Sequence, residues 1–230
     1  MSAGHGAARP EQPMPPRTGT FITLEGIDGC GKSTQIRLLR SALLRRGFPV
    51  GYVGKPGGVL REPGCTALGE GIRRILLHRR QQIDPWAEAL LYAAARAQLA
   101  HEVVVPALAA GNVVLLDRYV DSSLAYQGHA RGLGIDRILR LNLQATGGLL
   151  PDLTVVVVLD PETAAARHSG PVDRMEREGP AFQRLVAEGY RELAARFPER
   201  VREVDGAGPP RLVAGAIERI VLERVGVGGV

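Results

Sequence analysis

GIDGCGKS, at residues 26–33, follows the apolar segment FITL at residues 21–24 and precedes a helical pattern over residues 34–46. It fits the pattern G-x-x-x-x-G-K-[ST], in which glycines let the backbone wrap around a phosphate and the first amides of a helix point at it. Of the 29 Lys and Arg residues only two are lysine, and one of them, Lys32, closes this stretch. A compact ammonium is therefore expected to be required here rather than a planar guanidinium. The sequence predicts a phosphate-binding loop between a strand and a helix.

The composition predicts a single folded domain that does not enter a membrane. With 230 residues, 45% of them hydrophobic, the chain can bury a full core. No apolar run approaches the length of a membrane span, and the N-terminus lacks the apolar stretch of a signal peptide. The two cysteines, Cys30 and Cys65, do not suggest a disulfide framework. A free thiol inside the phosphate-binding loop favours the reducing cytoplasm.

The positive charge indicates an anionic small molecule as the partner. The net charge of +5 and the pI of about 9.7 would permit binding to nucleic acid. The arginines are scattered along the chain, however, and do not form one basic block. We therefore expect no nucleic-acid partner.

The chain divides into a short leader and one domain of alternating strands and helices. Residues 1–18 lack periodicity and predict a disordered leader, and residues 19–230 predict a single domain. Apolar and β-branched segments predict strands at residues 21–24, 50–53, 113–116, 153–159 and 201–204. Helical spacing and start signals predict helices at residues 34–46, 68–77, 84–106, 122–126, 136–146, 181–197 and 210–224, with one more beginning at residue 160. This alternation predicts an α/β fold, a P-loop NTPase-type parallel sheet of about five strands with helices on both faces.

An acidic residue stands at the end of one predicted strand. VVLL at residues 113–116 is followed by Asp117 and then Arg118. A buried parallel strand delivers its last side chain to the edge of the sheet where such folds bind phosphates and metal. Asp117 is therefore predicted to lie near a metal ion, and Arg118 near a ligand.

Three further stretches resemble the bacterial thymidylate kinase family. They are REPGCT at residues 61–66, YAAARAQ at residues 92–98 and DRYVDSSLAYQG at residues 117–128, and they occur together with the loop at residues 26–34. The resemblance extends over about residues 20–205 and includes residues 145–154 and 173–176. It implies ATP- and Mg²⁺-dependent phosphorylation of dTMP to dTDP by a cytoplasmic homodimer.

On the donor side, the resemblance implies that ATP is bound by the whole phosphate-binding loop. Its residues are Gly26, Ile27, Asp28, Gly29, Cys30, Gly31, Lys32, Ser33 and Thr34. Lys32 should bridge the β- and γ-phosphates, and Ser33 should ligate Mg²⁺ with Asp117 nearby.

On the acceptor side, the resemblance implies a set of dTMP-binding residues. Tyr92 should stack on thymine, Arg96 should reach a base oxygen or the phosphate, and Tyr126 should crowd the sugar 2′ position. The full set is Asp28, Arg61, Tyr92, Arg96, Asp117, Arg118, Ser123, Tyr126 and Gln127. Arg61 and Arg118 should hold the monophosphate, Asp28 the sugar 3′-hydroxyl, and Ser123 and Gln127 the base.

The lid of the family corresponds to about residues 165–178. Some relatives carry an arginine in the phosphate-binding loop where this chain has Gly29, and those without it supply arginines from the lid. We therefore expect a lid arginine to act with Lys32 and Arg118 in catalysis, Arg174 first and then Arg167.

Two departures from the family pattern lie in or near REPGCT at residues 61–66. KPGG at residues 55–58 partly echoes REPG at residues 61–64, and Arg61 is chosen because the residues after it continue the family pattern. Residues 54–60 are then an insertion, predicted to form a longer loop over the monophosphate. Cys65 replaces a glycine, so the local backbone is expected to differ.

Three alternatives remain open at this point. The nearest is another nucleoside-monophosphate kinase, against which Tyr92, Arg96 and Tyr126 argue. A regulatory module that uses nucleotide as a switch would not need a second phosphate-binding set at Arg61, Arg96 and Arg118. A nucleic-acid-binding role is the third, and salt-sensitive binding to DNA would reveal it.

Overall fold

A computed structural model describes residues 17–52, 55–78, 82–167 and 174–226. Most of the predicted leader, residue 54 of the predicted insertion and residues 168–173 of the predicted lid lie outside this part of the chain. Within the described residues no helix is both long and apolar enough to cross a bilayer.

The core of the molecule is a five-stranded sheet with the spatial order β4-β5-β1-β6-β7. All neighbouring strands in it are parallel. The strands of the structure are Thr20–Glu25 (β1), Gly51–Tyr52 (β2), Lys55–Pro56 (β3), Leu60–Arg61 (β4), Val113–Asp117 (β5), Leu153–Val158 (β6) and Val201–Asp205 (β7). The predicted five-stranded parallel sheet is confirmed.

The strand predicted at residues 50–53 is present at Gly51–Tyr52, but it does not belong to the main parallel sheet. Gly51–Tyr52 pairs antiparallel with Lys55–Pro56 in a separate small hairpin, and Val50 makes only an isolated bridge to Val113. The fifth strand of the main sheet is instead Leu60–Arg61, which pairs with the end of β5. A strand of two residues is too short to show a period, so no pattern could have predicted it.

The helices cover both faces of this sheet. They are Lys32–Arg45 (α1), Ala67–Leu77 (α2), Pro85–Leu99 (α3), Val105–Ala109 (α4), Val120–Ser123 (α5), Ile135–Thr146 (α6), Pro161–Arg167 (α7), Gly179–Arg196 (α8) and Pro210–Val225 (α9). Almost every residue of β1, β5 and β6 is buried, which requires cover on both sides. Helix α1 packs on α9, while α3, α6 and α8 pack together around the chain that follows α5.

Two predicted helices are interrupted by π-helical segments. The helix predicted over residues 84–106 consists of α3, a π-helical segment at Ala100–Val104 and α4. Pro106 in the first turn of α4 has no N–H to donate, so the regular bonding ladder cannot continue through it. The helix predicted at residues 122–126 is α5 followed by a π-helical segment at Leu124–Ala130. π-Helical turns have no distinct sequence period.

The strand order brings three of the predicted motifs to one edge of the sheet. β1 runs into the phosphate-binding loop, and the two strands on one side of it, β5 and β4, end at Asp117 and Arg61. Leu24 is paired with Asp117, which in turn is paired with Arg61. The carboxyl ends of parallel strands are where open α/β sheets bind ligands, so a site is expected here.

Candidate active site

The phosphate-binding loop has the conformation that its glycines permit. Gly26, Gly29 and Gly31 have φ angles of 136°, 81° and 100°, and α1 begins at Lys32 immediately after Gly31. The Lys32 ammonium donates to the carbonyl oxygens of Gly26 at 3.0 Å and Ile27 at 2.8 Å. Because only 7% of Lys32 is exposed, its charge is held at the floor of the loop.

Gly29 has no room for a side chain. A Cβ atom built there would lie 2.1 Å from the carbonyl oxygen of Ala164 in α7. The phosphate-binding loop therefore packs directly against α7, the helix that leads into the predicted lid. The arginine that some relatives place at this position could not be accommodated in this arrangement, so positive charge has to come from elsewhere.

Two adjoining cavities open at the carboxyl edge of the sheet. The loop cavity, of about 830 Å³, is lined by residues 28–35 of the phosphate-binding loop and by Asp117, Arg61 and Arg167. The second cavity, of about 220 Å³, is lined by Tyr92, Arg96, Tyr126 and other side chains of the segments between α2 and α6. Four residues line both cavities and so form the wall between them: Asp28, Glu62, Arg73 and Arg118.

Arg118 occupies the centre of this dividing wall. Its backbone has the left-handed φ of 68°, which is uncommon for a residue with a side chain and turns it away from the line of β5. The guanidinium donates to the carbonyl oxygen of Gly26 at 3.0 Å, and it forms a close ion pair with Asp28. It also stacks 5.2 Å from the ring centroid of Tyr126. Arg118 thus connects the phosphate-binding loop to the second cavity.

Asp28 is held ionised by this pairing. Burial alone would raise the pKa of its carboxyl, but Arg118 and Lys32 outweigh burial and hold the pKa below its ordinary value. The hydroxyl of Tyr126 approaches the other carboxylate oxygen at 3.4 Å. The wall therefore presents a fixed negative charge beside the guanidinium of Arg118.

Sequence reasoning missed Glu25, a carboxylate that is linked to Arg118 through two hydroxyl groups. Glu25, fully buried at the end of β1, accepts from the amide of Tyr119 at 2.7 Å and from the hydroxyls of Ser122 at 2.5 Å and Tyr190 at 2.8 Å. Those two hydroxyls lie 3.2 and 3.4 Å from the guanidinium of Arg118. Burial raises the pKa of Glu25 to about 6. Nothing in the sequence around Glu25 distinguishes it from a glutamate on the surface.

Arg96 lies in the wall of the second cavity with its donors already bound by protein. It is 1% exposed and forms an ion pair with Glu62 at 2.8 Å. The guanidinium also donates to the hydroxyl of Ser123, the amide oxygen of Asn142 and the carbonyl oxygen of Tyr119. Burial raises the pKa of Glu62 to about 7, with Arg96 acting in the opposite direction. Arg96 therefore contributes a rigid positive charge.

The remaining predicted base-side residues meet at one end of the second cavity. Tyr92, Ser123 and Gln127 all line it, together with the apolar side chains of Leu77 and Met175. Ser123 and Gln127 are each 2% exposed. Apolar side chains together with a few fixed polar groups are typical of a small-molecule site.

Ser33 and Asp117 lie close enough to share one hard cation. The hydroxyl of Ser33 donates to the Asp117 carboxylate at 3.2 Å, at the mouth of the loop cavity. Hydroxyl and carboxylate oxygens suit Mg²⁺, which binds through one or two protein ligands together with phosphates and water. These two residues therefore fit a magnesium ion.

Arg61 and Arg73 also line the loop cavity. The Arg61 side chain is 56% exposed and lies 3.9 Å from Glu70. Arg73, on α2, donates to the carbonyl oxygen of Pro63 at 3.0 Å and lines both cavities. The sequence did not distinguish Arg73 from its exposed neighbour Arg74, since only the placement of α2 selects which of the two faces inward.

Cys65, at the position where the family carries a glycine, has a backbone conformation that favours glycine. Its φ is 65°, in the left-handed region, and its sulfur accepts from the amide of Arg61 at 3.4 Å. The thiol contact with Arg61 offsets part of the strain of a side chain in this conformation.

The two lid arginines predicted to be catalytic lie apart from the dividing wall. Arg174 is 8% exposed and donates to the Leu76 carbonyl oxygen at 2.7 Å and to the Glu88 carboxylate at 2.5 Å. Arg167 does line the loop cavity, where it donates to the carbonyl oxygens of Gly206 and Ala207. In the described conformation neither guanidinium stands between the two cavities.

Comparison with known proteins identifies the family. The family model for thymidylate kinase matches residues 24–217. The chain belongs to the thymidylate kinase family. The match includes the phosphate-binding loop, both cavities and all of the strands except part of β1.

Individual thymidylate kinases are similar over most of their length. A thymidylate kinase of Thermoanaerobacter sp. (strain X514) is 49% identical over 189 residues, which cover 82% of this chain and 90% of that protein. A thymidylate kinase of Clavibacter sepedonicus is 50% identical over 203 residues, covering 87% and 93%. One of Synechococcus sp. (strain JA-3-3Ab) is 47% identical over 205 residues, covering 89% and 96%. The resemblance predicted from four motifs is confirmed.

Proposed function

We propose that the protein transfers the γ-phosphoryl group of ATP to dTMP and releases ADP and dTDP. The observation that carries this proposal is the pair of cavities that share one wall of Asp28, Glu62, Arg73 and Arg118. A phosphate-binding loop alone would serve any nucleotide-binding protein. A second cavity with arginines on the common wall supplies a site for a second anion, which phosphoryl transfer requires.

The reaction consists of an attack by one phosphate oxygen on another phosphate. An oxygen of the dTMP phosphate bonds to the γ-phosphorus while the bond from that phosphorus to the β,γ-bridging oxygen breaks, and ADP leaves with the electron pair. The acceptor oxygen is already anionic, so no general base is needed. The protein has to align two anions that repel each other and neutralise the charge that develops between them.

Each wall of the site has a role in this transfer. The loop amides and the Lys32 ammonium hold the phosphates of ATP, and Arg118 holds the acceptor phosphate from the shared wall. Ser33 and Asp117 would hold Mg²⁺, which neutralises phosphate charge when it is bound. Tyr92 packs on the thymine, and Asp28 with Tyr126 contacts the sugar.

We propose that Arg73 and Arg118, and not the lid arginines, neutralise the charge that develops on the transferring phosphoryl group. Both guanidiniums line the loop cavity and the second cavity, whereas Arg174 is bound to Glu88 and Arg167 to the loop after β7. Arg167 lines the loop cavity but not the second cavity. We expect its contribution to be to ATP binding.

Arg73→Met should lower kcat about 100-fold with a smaller effect on the KM for ATP, because a donor aimed at the transferring group is lost. Steady-state kinetics with varied ATP and dTMP measure both constants. The matched control is Arg74→Met, which removes the same charge from the exposed side of the same helix. Equal losses in the two variants would remove Arg73 from the proposed role.

The protein also carries an apolar surface suited to a homodimer, and we propose that it works as one in the cytoplasm. Leu68 and Ile75 are 51% and 43% exposed, lie seven residues apart on α2, and are joined by Leu90 of α3, which is 53% exposed. Helices α2 and α3 pack against each other, so these side chains belong to neighbouring elements. Exposed apolar side chains grouped in this way are typical of an interface.

The function is tested by a panel of nucleoside monophosphates in a coupled assay of ADP release with ATP and Mg²⁺. We expect dTMP to give the highest kcat/KM and Tyr92→Ala to lower it at least tenfold, since a stacked aromatic is lost. A faster reaction with a different monophosphate would favour another nucleotide kinase. ATP binding with no turnover stimulated by any monophosphate would favour a regulatory module.

A further inference from the structure

Glu88 is a buried carboxylate beside the second cavity that no role above explains. It is 0% exposed and lies on α3, one turn before Tyr92 and two turns before Arg96. Both of those residues line the cavity. A buried carboxylate is costly unless it is paired and fully hydrogen-bonded, so its partners indicate what it does.

Two arginines and one amide surround this carboxylate. One oxygen accepts from the side-chain amide of Gln127 at 2.9 Å and from Nε of Arg131 at 3.3 Å. The other accepts from Nη2 of Arg131 at 3.2 Å and from Nη2 of Arg174 at 2.5 Å. Arg131 is itself fixed by Glu178 at 2.6 Å and by stacking on Phe182. Glu88 therefore has a fixed position and orientation.

The contact with Glu88 decides which way the Gln127 amide points. An ionised carboxylate accepts hydrogen bonds and cannot donate them, so only the NH₂ end of the Gln127 amide can face it. The carbonyl oxygen projects from the same carbon in a different direction and is not used by Glu88. Because Gln127 lines the second cavity, this oxygen is the part of the amide left to meet a ligand as an acceptor.

We propose that Glu88 is a positioning residue that makes the site selective for thymine over cytosine, an inference that rests on the proposed function. With its amide held in this orientation, Gln127 accepts a hydrogen bond from N3–H of thymine. Cytosine has a lone pair at N3, so the same oxygen would face another acceptor. A buried site built for one hydrogen bond rejects an analogue that cannot make it.

The substitution Glu88→Gln makes a specific prediction because an amide has one accepting and one donating end. Two arginine donors face one oxygen of Glu88 and a single one, Nε of Arg131, faces the other, so the carbonyl oxygen of the new glutamine is expected to take the first position. Its NH₂ group then faces Gln127, whose own amide has to turn so that its oxygen accepts. The NH₂ group of Gln127 would then face the ligand, where it suits N3 of cytosine and opposes N3–H of thymine.

The expected result is a change in specificity. The ratio of kcat/KM for dTMP to that for dCMP should fall about 10- to 100-fold in E88Q, which is the range for gaining and losing one buried hydrogen bond. The ratio for dTMP to dUMP should stay within about twofold, because uracil also carries N3–H. An unchanged preference for dTMP over dUMP would show that the effect of E88Q comes from the Gln127 amide and not from the contacts of the thymine methyl group.

Arg131→Met is the matched control. It removes a buried partner of Glu88 and should lower the melting temperature, but it leaves the carboxylate facing Gln127. The dTMP to dCMP ratio should therefore be unchanged in R131M. If E88Q melts too low to assay, the double variant E88Q/R131M removes the Nε–H donor of Arg131 that would face the new NH₂ group, and it keeps Arg174 to orient the new amide.

Each outcome bears on the proposal. If folded E88Q or E88Q/R131M keeps the dTMP to dCMP ratio of the wild type, or if R131M lowers that ratio as far as E88Q does, Glu88 does not set the specificity. A wild type that prefers dTMP over dCMP by less than about tenfold also overturns the inference. These results leave dTMP kinase activity standing, whereas a wild type inactive on every monophosphate overturns both proposals.

Discussion

Arg118→Met should reduce kcat/KM for dTMP by about 1,000-fold or more, as expected when a preorganised cation at a transferring phosphoryl group is removed. Arg118 contacts several parts of the site. It contacts the carbonyl oxygen of Gly26, the carboxylate of Asp28 and the hydroxyls supported by Glu25. Without Arg118, the phosphate of dTMP loses the cation that binds it, and the carboxylate of Asp28 lies beside two anionic substrates.

Two further variants isolate the cause of this effect. Arg118→Lys keeps the charge but loses the planar fork, so we expect it to recover only part of the activity. Arg184→Met removes an exposed arginine paired with Glu162 and should behave as the wild type. If the activity of Arg118→Met stays within about tenfold of the wild type, another residue neutralises the charge of the transferring phosphoryl group.

Lys32→Arg should lower kcat by about 1,000-fold even though the charge is conserved. The ammonium of Lys32 fits between two loop carbonyl oxygens about 3 Å away, in a position that is 7% exposed. A guanidinium is wider and needs partners in its own plane, so it cannot take that position without displacing the loop. Steady-state kinetics and ATP titration of the variant separate a loss of transfer from a loss of binding.

The control for this substitution is the reverse exchange on the surface. Arg37→Lys alters an exposed residue of the same helix and should leave kcat within about twofold of the wild type. This chain uses arginine at nearly every basic position, so a functional Lys32→Arg variant would mean that the lysine is not required by the chemistry.

The sequence predicted the parts of the fold that have a long period or a strict motif. The strand before residue 26, the loop and the helix after it were all predicted, because apolar spacing and the glycine pattern agree there. The edge strand at Leu60–Arg61 was missed, and the strand at residues 50–53 was expected in the main sheet although it forms a separate hairpin. Pairing between distant segments decided that position, and local propensity did not.

The site was predictable where a residue belongs to a motif and not where it acts through a neighbour. Asp28, Tyr92 and Arg118 all line a cavity, and motif matching had selected them. Glu25 and Glu88 are buried carboxylates on elements with no unusual pattern, and their importance comes from hydroxyls and amides contributed by other elements. Such contacts depend on the packing of helices, which one sequence does not encode in any short stretch.

The most direct test of the account is a crystal structure with dTMP and a non-hydrolysable ATP analogue bound together. We expect the triphosphate in the loop cavity on Lys32 and the thymine between Tyr92 and Gln127, with the monophosphate within hydrogen-bond distance of Arg118. A monophosphate bound away from the wall shared by the two cavities, or a thymine outside the second cavity, would contradict it.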